Sequence, residues 1–249
     1  MMLSRSIKLF IPLTAALFFM PTMAAPVADD VRDAIITSLE PVLMGEAPKS
    51  IEATPMAGIY KVDMGQGRFL YSNASGSHMI SGEMYGFSSE GLVNLTEMDR
   101  AAERKTQLTS LNIKNAIVFA PKGKSKAILN VFTDVDCGYC RLFHKEVPAL
   151  NAKGVEVRYL AFPRGGLQTQ GAAKMISAWC ADDRQKAITD LKNEKSIPTK
   201  LCTDNPVADQ YRMGIDFGVT GTPSLVLMDG TMIPGYKPAA ELIEILGVN

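Results

Sequence analysis

The segment Phe132-Thr-Asp-Val-Asp-Cys-Gly-Tyr-Cys-Arg-Leu-Phe-His144 decides how the rest of this chain is interpreted. The apolar, β-branched run at residues 127–133 leads into it and predicts a buried strand. Apolar residues at helical spacing follow as far as Pro148, where we expect the helix to end. Cys137 and Cys140 therefore fall at a strand-to-helix junction, one helical turn apart and on the same face.

This junction favours ionisation of the first cysteine. Free backbone N–H groups and the positive end of the helix dipole stabilise a thiolate at Cys137, so its pKa should lie below that of an ordinary thiol. An exposed thiolate with a second thiol three residues away is typical of a dithiol–disulfide exchange centre. Cys137 is the candidate nucleophile and Cys140 the candidate resolving thiol, with Gly138 and Tyr139 between them.

Two other interpretations of the Cys-x-x-Cys pair compete with thiol exchange. It can supply half of a zinc site with His144 as a third ligand, but a structural zinc needs four ligands, and Cys180 and Cys202 lack the necessary spacing. The pair can also be a simple structural disulfide. Haem attachment is excluded because Arg141 occupies the position that the motif gives to histidine. The strand-then-helix setting favours redox chemistry, with no metal and no cofactor.

Residues 1–24 have the pattern of a secretory signal peptide. Arg5 and Lys8 form a basic start, residues 9–20 are apolar but too few to span a bilayer, and residues 22–24 offer a cleavage site. Removing this segment leaves 24 basic and 26 acidic residues, a balance that does not suggest nucleic acid binding. Export places the four cysteines in an oxidising compartment.

The mature chain divides into three parts. Residues 25–95 combine a helix at 28–43 with three strand candidates at residues 58–63, 68–71 and 78–85. A unit of about 70 residues buries little core, so pairing with a second copy is a natural remedy. Residues 96–113 are highly charged with a thin apolar stripe, which predicts a linker helix capped by Thr96.

Residues 114–249 alternate strands and helices in a pattern typical of an α/β domain with a mixed sheet. Strands are predicted at residues 117–119, 127–133, 155–162, 224–228 and 231–233. Helices are predicted from Cys137 to Pro148 and at residues 170–181, 183–192, 206–217 and 239–246. Asp229-Gly230 predicts a hairpin turn. Thr222-Pro223, directly before a strand, is a candidate for a cis peptide bond.

Several motifs together resemble the DsbC group of periplasmic disulfide isomerases in the thioredoxin superfamily. The matching segments are residues 132–140, 159–167, 179–180, 218–223 and 234–238. The resemblance covers nearly all of the mature chain. It implies a thioredoxin-like α/β domain with a helical insertion, preceded by a small α+β dimerisation domain and a linker helix.

The resemblance also implies roles for individual residues. Cys137 and Cys140 would be the attacking and resolving thiols, with Thr222-Pro223 lying against them. Cys180 and Cys202 would form a structural disulfide within the helical insertion. Six residues before Cys137, where thioredoxins keep a buried acid, this chain has Val131, so the proton acceptor for Cys140 is unassigned.

The activity implied by the resemblance is rearrangement and reduction of wrong disulfides in exported proteins, with chaperone-like client binding. The implied partners are a second copy in a V-shaped homodimer, misfolded disulfide-containing clients, and a membrane-bound reductase of the DsbD type, all in the periplasm. Three alternative functions compete with this one: a dithiol oxidase, a DsbG-like reductase of oxidised cysteines, and a chaperone whose thiols play no part.

Overall fold

The computed structural model of the chain describes residues 26–43, 45–89 and 91–248, so the predicted signal peptide lies outside the described residues. The described part comprises a small N-terminal unit, a bridging helix and a larger α/β domain. Within these residues, no helix is long and apolar enough to cross a membrane.

The N-terminal unit packs one helix on a four-stranded antiparallel sheet of order β1-β2-β3-β4 and adds a separate hairpin. Its elements are α1 (Asp29–Leu43), β1 (Ser50–Ala53), β2 (Ile59–Asp63), β3 (Phe69–Asn73), β4 (Met79–Ser81), β5 (Tyr85–Ser88) and β6 (Gly91–Asn94). Ile35 and Leu39 from the helix meet Ile51 and Val62 from the sheet in a small apolar core. The core is thin, as expected for a unit of this length.

The segment at residues 78–85, predicted as one strand, forms two strands, β4 and β5, with a break at residues 82–84. Within this break, Met84 donates its backbone N–H to the Thr96 hydroxyl at 2.7 Å and accepts a bond from the Leu95 N–H at 2.8 Å. Both backbone groups of Met84 are therefore bonded to residues at the start of the next helix. They are not available for hydrogen bonds to β3, so strand β4 ends before Met84. Two short strands, β1 and β6, were not predicted at all.

The bridging helix α2 (Leu95–Thr109) begins differently from the sequence prediction. Its cap is the Asn94 side chain, which accepts a bond from the Glu97 N–H at 3.0 Å. Thr96, the predicted cap, is buried, and its hydroxyl bonds Tyr71 and the Met84 backbone. Thr96 therefore fixes the helix to the N-terminal unit instead of capping it.

The first half of α2 is bonded to the N-terminal sheet. Lys61 forms an ion pair with Asp99 at 2.7 Å, and the Arg100 guanidinium donates to the Gly67 carbonyl at 2.9 Å. These contacts join the helix to β2 and to the turn before β3, so its first turns belong to the N-terminal unit.

The second half of α2 packs on the α/β domain. Arg104 is only 2% exposed, and its guanidinium donates to the carbonyls of Gly230 at 2.7 Å and Phe217 at 3.3 Å. Leu108 joins an apolar cluster that includes Phe132. The predicted linker helix is therefore an integral part of two packed units.

The α/β domain is built on a five-stranded mixed sheet of order β11-β10-β8-β9-β7, in which only β8 and β9 run parallel. Its elements are β7 (Ile117–Phe119), β8 (Ala127–Thr133), α3 (Gly138–Ala152), β9 (Val155–Ala161), α4 (Gln170–Trp179), α5 (Arg184–Lys192), α6 (Val207–Asp216), β10 (Ser224–Leu227), β11 (Met232–Pro234) and α7 (Ala239–Ile245). The predicted α/β class, the mixed sheet and the hairpin at Asp229-Gly230 are confirmed.

Helix α3 does not end at Pro148 as predicted but continues to Ala152. Proline lacks the N–H that would bond the carbonyl of His144, which weakens the helix at that turn. Val147 and Leu150 on either side of Pro148 are buried in the main core of the domain. Burial of this apolar stripe outweighs the missing hydrogen bond.

Candidate active site

Residues 134–137 turn the chain from β8 into α3 and position the first cysteine. The Asp134 carboxylate accepts a bond from the Asp136 N–H at 2.8 Å, and its backbone carbonyl accepts one from the Cys137 N–H at 3.3 Å. Cys137 takes the N-cap position of α3 in extended backbone conformation, and Cys140 lies one turn further along. Both thiols are free, and the predicted strand-to-helix junction is confirmed.

The loop before β10 lies against the same thiol. In the antiparallel register of β10 and β8, Ser224 stands opposite Phe132, so residues just before Ser224 meet the end of β8. The peptide between Thr222 and Pro223 is cis, as predicted. The Cys137 thiol donates to the Thr222 carbonyl at 3.2 Å. Sheet topology thus brings together residues 85 positions apart in the sequence.

The two thiols have opposite acidities. A hydrogen bond from Cys140 is the main cause that lowers the pKa of Cys137 to about 5, helped by Thr222 and by the charge of Arg164, while burial opposes the shift. Burial is the main cause that raises the pKa of Cys140 far above that of an ordinary thiol, and the bond to Cys137 adds to it. At neutral pH the first cysteine is a thiolate and the second a thiol.

The exposure of Cys137 differs from the sequence prediction. The prediction was an exposed thiolate, but Cys137 is 2% exposed, while Gly138 and Tyr139 beside it are open to solvent. Contact with the Thr222 carbonyl explains the burial, because the loop before β10 covers the sulfur. Any molecule that reaches the Cys137 sulfur must therefore approach close to this loop.

Arg164, in the turn after β9, is a site residue to which sequence reasoning gave no role. Its guanidinium and backbone N–H both bond the Asp134 carboxylate, at 3.1 and 2.9 Å. Asp136 bonds Lys174 at 2.8 Å. Each carboxylate thus has a basic partner of its own, and Arg164 adds positive charge near Cys137. The Pro-Arg-Gly-Gly sequence that ends the strand was the available signal.

We expect Thr222→Val to raise the pKa of Cys137 by about one to two units, because a hydrogen bond to a charged group is worth roughly 1.5–3 kcal/mol. The Thr222 hydroxyl has no partner among the described residues in the thiol form and favours the Cys137 thiolate. Ultraviolet absorbance of the thiolate against pH measures the change. Thr220→Val, at an exposed position, is the control. An unchanged titration curve would exclude Thr222 from thiolate stabilisation.

His144, the third zinc ligand in the alternative interpretation, is engaged elsewhere. Its Nδ1 bonds the Tyr159 hydroxyl at 2.9 Å and its Nε2 bonds the Thr189 hydroxyl at 3.1 Å. Burial and the charge of Lys192 lower the pKa of His144 to about 4, so the ring is neutral. The described residues contain no group of three or more His, Cys, Asp or Glu side chains that could hold a metal ion.

The other two cysteines lie in the helical insertion. Cys180 at the end of α4 is bonded to Cys202 in the loop before α6, with their Cα atoms 5.6 Å apart. The bridge spans 22 positions and encloses α5. This is the pairing that the family resemblance implies.

Replacing both Cys180 and Cys202 with alanine should lower the free energy of unfolding by about 3 kcal/mol, because the bridge restricts the unfolded chain over a loop of this length. Denaturant unfolding with Cys137 and Cys140 kept reduced measures the loss. An unchanged unfolding midpoint would show that packing alone holds the insertion in place.

Two family descriptions match the chain. The one described as a thioredoxin-like domain matches residues 113–248. The one described as the N-terminal domain of disulfide bond isomerase proteins matches residues 23–97. The two matches correspond to the α/β domain and to the N-terminal unit with its hairpin.

Similar proteins cover both units. Thiol:disulfide interchange protein DsbC of Escherichia coli (strain K12) is 41% identical over 206 residues, covering 82% of this chain and 83% of that protein. The protein of the same name in Salmonella typhimurium (strain LT2) is 38% identical over 231 residues, covering 92% of this chain and 94% of that protein. The solved catalytic domain of Proteus mirabilis ScsC shares the fold, with 20% identity, a TM-score of 0.50, and coverage of 59% of this chain and 96% of that one.

Proposed function

Because the chain belongs to the DsbC family of thiol:disulfide interchange proteins, we propose that it isomerises and reduces wrong disulfides in exported proteins. The observation that carries this proposal is the opposite acidity of the two thiols at one junction, a thiolate at Cys137 and a thiol at Cys140. The Cys137 thiolate can attack a disulfide. The Cys140 thiol can then attack the Cys137 sulfur and release the product.

The reaction then runs in two branches. The Cys137 thiolate attacks a wrong disulfide and forms a mixed disulfide with the client, which frees one client thiol. In isomerisation, that client thiol attacks another disulfide and Cys137 leaves unchanged. When rearrangement stalls, Cys140 attacks the Cys137 sulfur and the client leaves reduced. The low pKa of Cys137 makes it a good leaving group, which shortens the life of the mixed disulfide.

The second branch leaves a Cys137–Cys140 disulfide that a partner must reduce. We propose a membrane-bound reductase of the DsbD type for this step, and the periplasm as the compartment, with residues 1–24 as the export signal. Clients are misfolded exported proteins with disulfides, held by chaperone-like contacts. No observation favours the DsbG-like or oxidase alternatives over this function.

Exposed apolar side chains on the N-terminal unit support the proposal of a homodimer. Phe87 in β5 is 92% exposed and lies opposite Leu92 in β6, which is 63% exposed, so both side chains stand on one face of the hairpin. Tyr85, two residues before Phe87, and Ile80 on the edge strand β4 are also exposed. An exposed apolar surface of this kind marks an interaction site, and we propose a second copy of the chain as its partner.

We propose that the mature chain has three functional parts. They are a dimerisation domain at residues 25–95, a linker helix at 96–113 and a catalytic domain at 114–249. In this arrangement two dithiols face one client-binding cleft. The dimer would also restrict access of oxidases to the reduced site.

Refolding of a scrambled, multi-disulfide client tests the proposed activity. The reduced protein should restore the activity of the client without a stoichiometric oxidant. In a second measurement, alkylation of thiols in cells should find Cys137 and Cys140 in the reduced state. A resting disulfide at this pair, with no isomerisation of the scrambled client, would instead identify a dithiol oxidase.

A further inference from the structure

Lys192 is a buried cation beside the dithiol, and the exchange mechanism described above gives it no role. It ends α5 and is 3% exposed. Its ammonium group donates to the Thr133 hydroxyl at 2.6 Å and to the Asp134 carbonyl at 2.8 Å, and lies 5.8 Å from the centre of the Tyr159 ring. Among the described residues, no carboxylate lies within ion-pair distance of it. A buried ammonium group that forms no ion pair with a carboxylate is costly, so its presence requires an explanation.

The surroundings of Lys192 place it in contact with the thiol chemistry. The titratable or charged groups that face it from the neighbouring elements are Asp134, Cys137, Cys140, Arg141, His144 and Tyr159. Asp134 is paired with Arg164, and His144 and Tyr159 are neutral because both are buried. Of the groups that favour the charged form of Lys192 when they are ionised, Cys140 acts most strongly.

Cys140 needs a proton acceptor when it attacks the mixed disulfide, because it is buried and protonated. Val131 lies in the apolar core, so the acid of thioredoxins is missing, and Asp134 and Asp136 are paired with Arg164 and Lys174. The Thr133 hydroxyl and the Lys192 charge both favour ionisation of Cys140. Thr133 ends β8, four residues before Cys137, and its hydroxyl bonds Lys192 at 2.6 Å, so the lysine is bonded to the segment that leads into the dithiol.

We propose that Lys192 accepts, through the Thr133 hydroxyl, the proton that Cys140 loses when it resolves the mixed disulfide. In this step the Cys140 S–H bond breaks, Thr133 takes that proton and passes its own to the neutral Lys192 amine. The Cys140 sulfur bonds the Cys137 sulfur, the bond from Cys137 to the client breaks, and the client leaves as a thiolate. The dithiol is oxidised by two electrons and the client disulfide is reduced by two.

Burial makes Lys192 suitable for this role. Loss of solvation lowers the pKa of Lys192 to about 8, so part of the protein carries a neutral amine at neutral pH. The fraction that can accept a proton rises with pH and saturates above the pKa. The rate of the resolving step should therefore rise with pH and level off near pH 8.

Single-turnover reaction of the full-length reduced protein with oxidised glutathione, quenched in acid and analysed by mass, separates the two steps. This inference rests on the proposed exchange function, and the first step tests that function independently. In Lys192→Met, the Cys137 attack should stay within about threefold of wild type, while the resolving step should slow at least about tenfold at pH 7. Its rate should then rise with pH without levelling off.

Two further variants sharpen the result. Thr133→Val keeps the lysine but removes the link, and it should lose the plateau as Lys192→Met does. Lys195→Met removes an exposed lysine three residues away and should change neither step. A resolving rate in Lys192→Met that matches wild type and still levels off near pH 8 would overturn the inference, and so would a normal plateau in Thr133→Val. Failure of the first step in wild type would instead overturn the exchange function.

Discussion

Replacing Cys137 with serine should reduce disulfide exchange to the uncatalysed background, whereas replacing Cys140 with alanine should leave clients covalently trapped on Cys137. The first change removes the thiolate that the N-cap position and the Cys140 hydrogen bond create. The second keeps an attacking thiol but removes the group that releases stalled clients. The two substitutions should therefore fail in opposite ways.

Non-reducing gels of the two variants from cells that export disulfide-bonded proteins measure the difference. Cys140→Ala should show a ladder of adducts that reductant removes, and Cys137→Ser should show none. The Cys180–Cys202 bridge remains in both variants, so neither loses the disulfide of the helical insertion. Equal behaviour of the two, with no adducts in either, would reverse the assignment of attacking and resolving thiols.

Placing aspartates on the exposed hairpin face should separate isomerase activity from simple thiol chemistry. In Phe87→Asp with Leu92→Asp, two opposed apolar side chains become charges, which should repel across a symmetric interface. The protein should be a monomer that still reduces small disulfides. Isomerisation of a multi-disulfide client should fall at least about tenfold, because one site cannot provide the avidity of two.

Light scattering and refolding of a scrambled client give the two readouts, with Met56→Asp, an exposed position in the turn before β2, as the control. Point substitutions suit this test better than truncation at residue 114, since that cut would remove Arg104 and Leu108, which both contact the α/β domain. A monomeric variant that isomerises as well as wild type would show that the N-terminal unit has another purpose.

Features defined by local sequence were predictable. The strand, the two cysteines and the helix of the dithiol lie within one short segment, and Thr222-Pro223 precedes an apolar strand, so pattern and spacing were sufficient. The α/β class followed from the order of strands and helices for the same reason. The end of α3 was misjudged because burial of Val147 and Leu150 overrides the local effect of Pro148.

Features that depend on distant contacts were not predictable. Arg104 looks like a solvated residue of a charged helix, but its carbonyl partners lie 113 and 126 positions away. Lys192 likewise belongs to a polar segment, and only the fold brings it to Thr133, 59 positions earlier. A buried charged side chain leaves no periodic signal in the sequence, because its stabilisation comes from groups that the tertiary structure supplies.

The bonding of α2 to units at both of its ends has a mechanical consequence. Lys61 and Gly67 secure its first turns, and Arg104 secures its later ones, so the helix has no free joint along its length of about 22 Å. The N-terminal unit and the α/β domain should then move together as one stiff body. In the proposed dimer, the distance between the two dithiols would therefore be set by rotation where the two copies meet, and not by bending within α2.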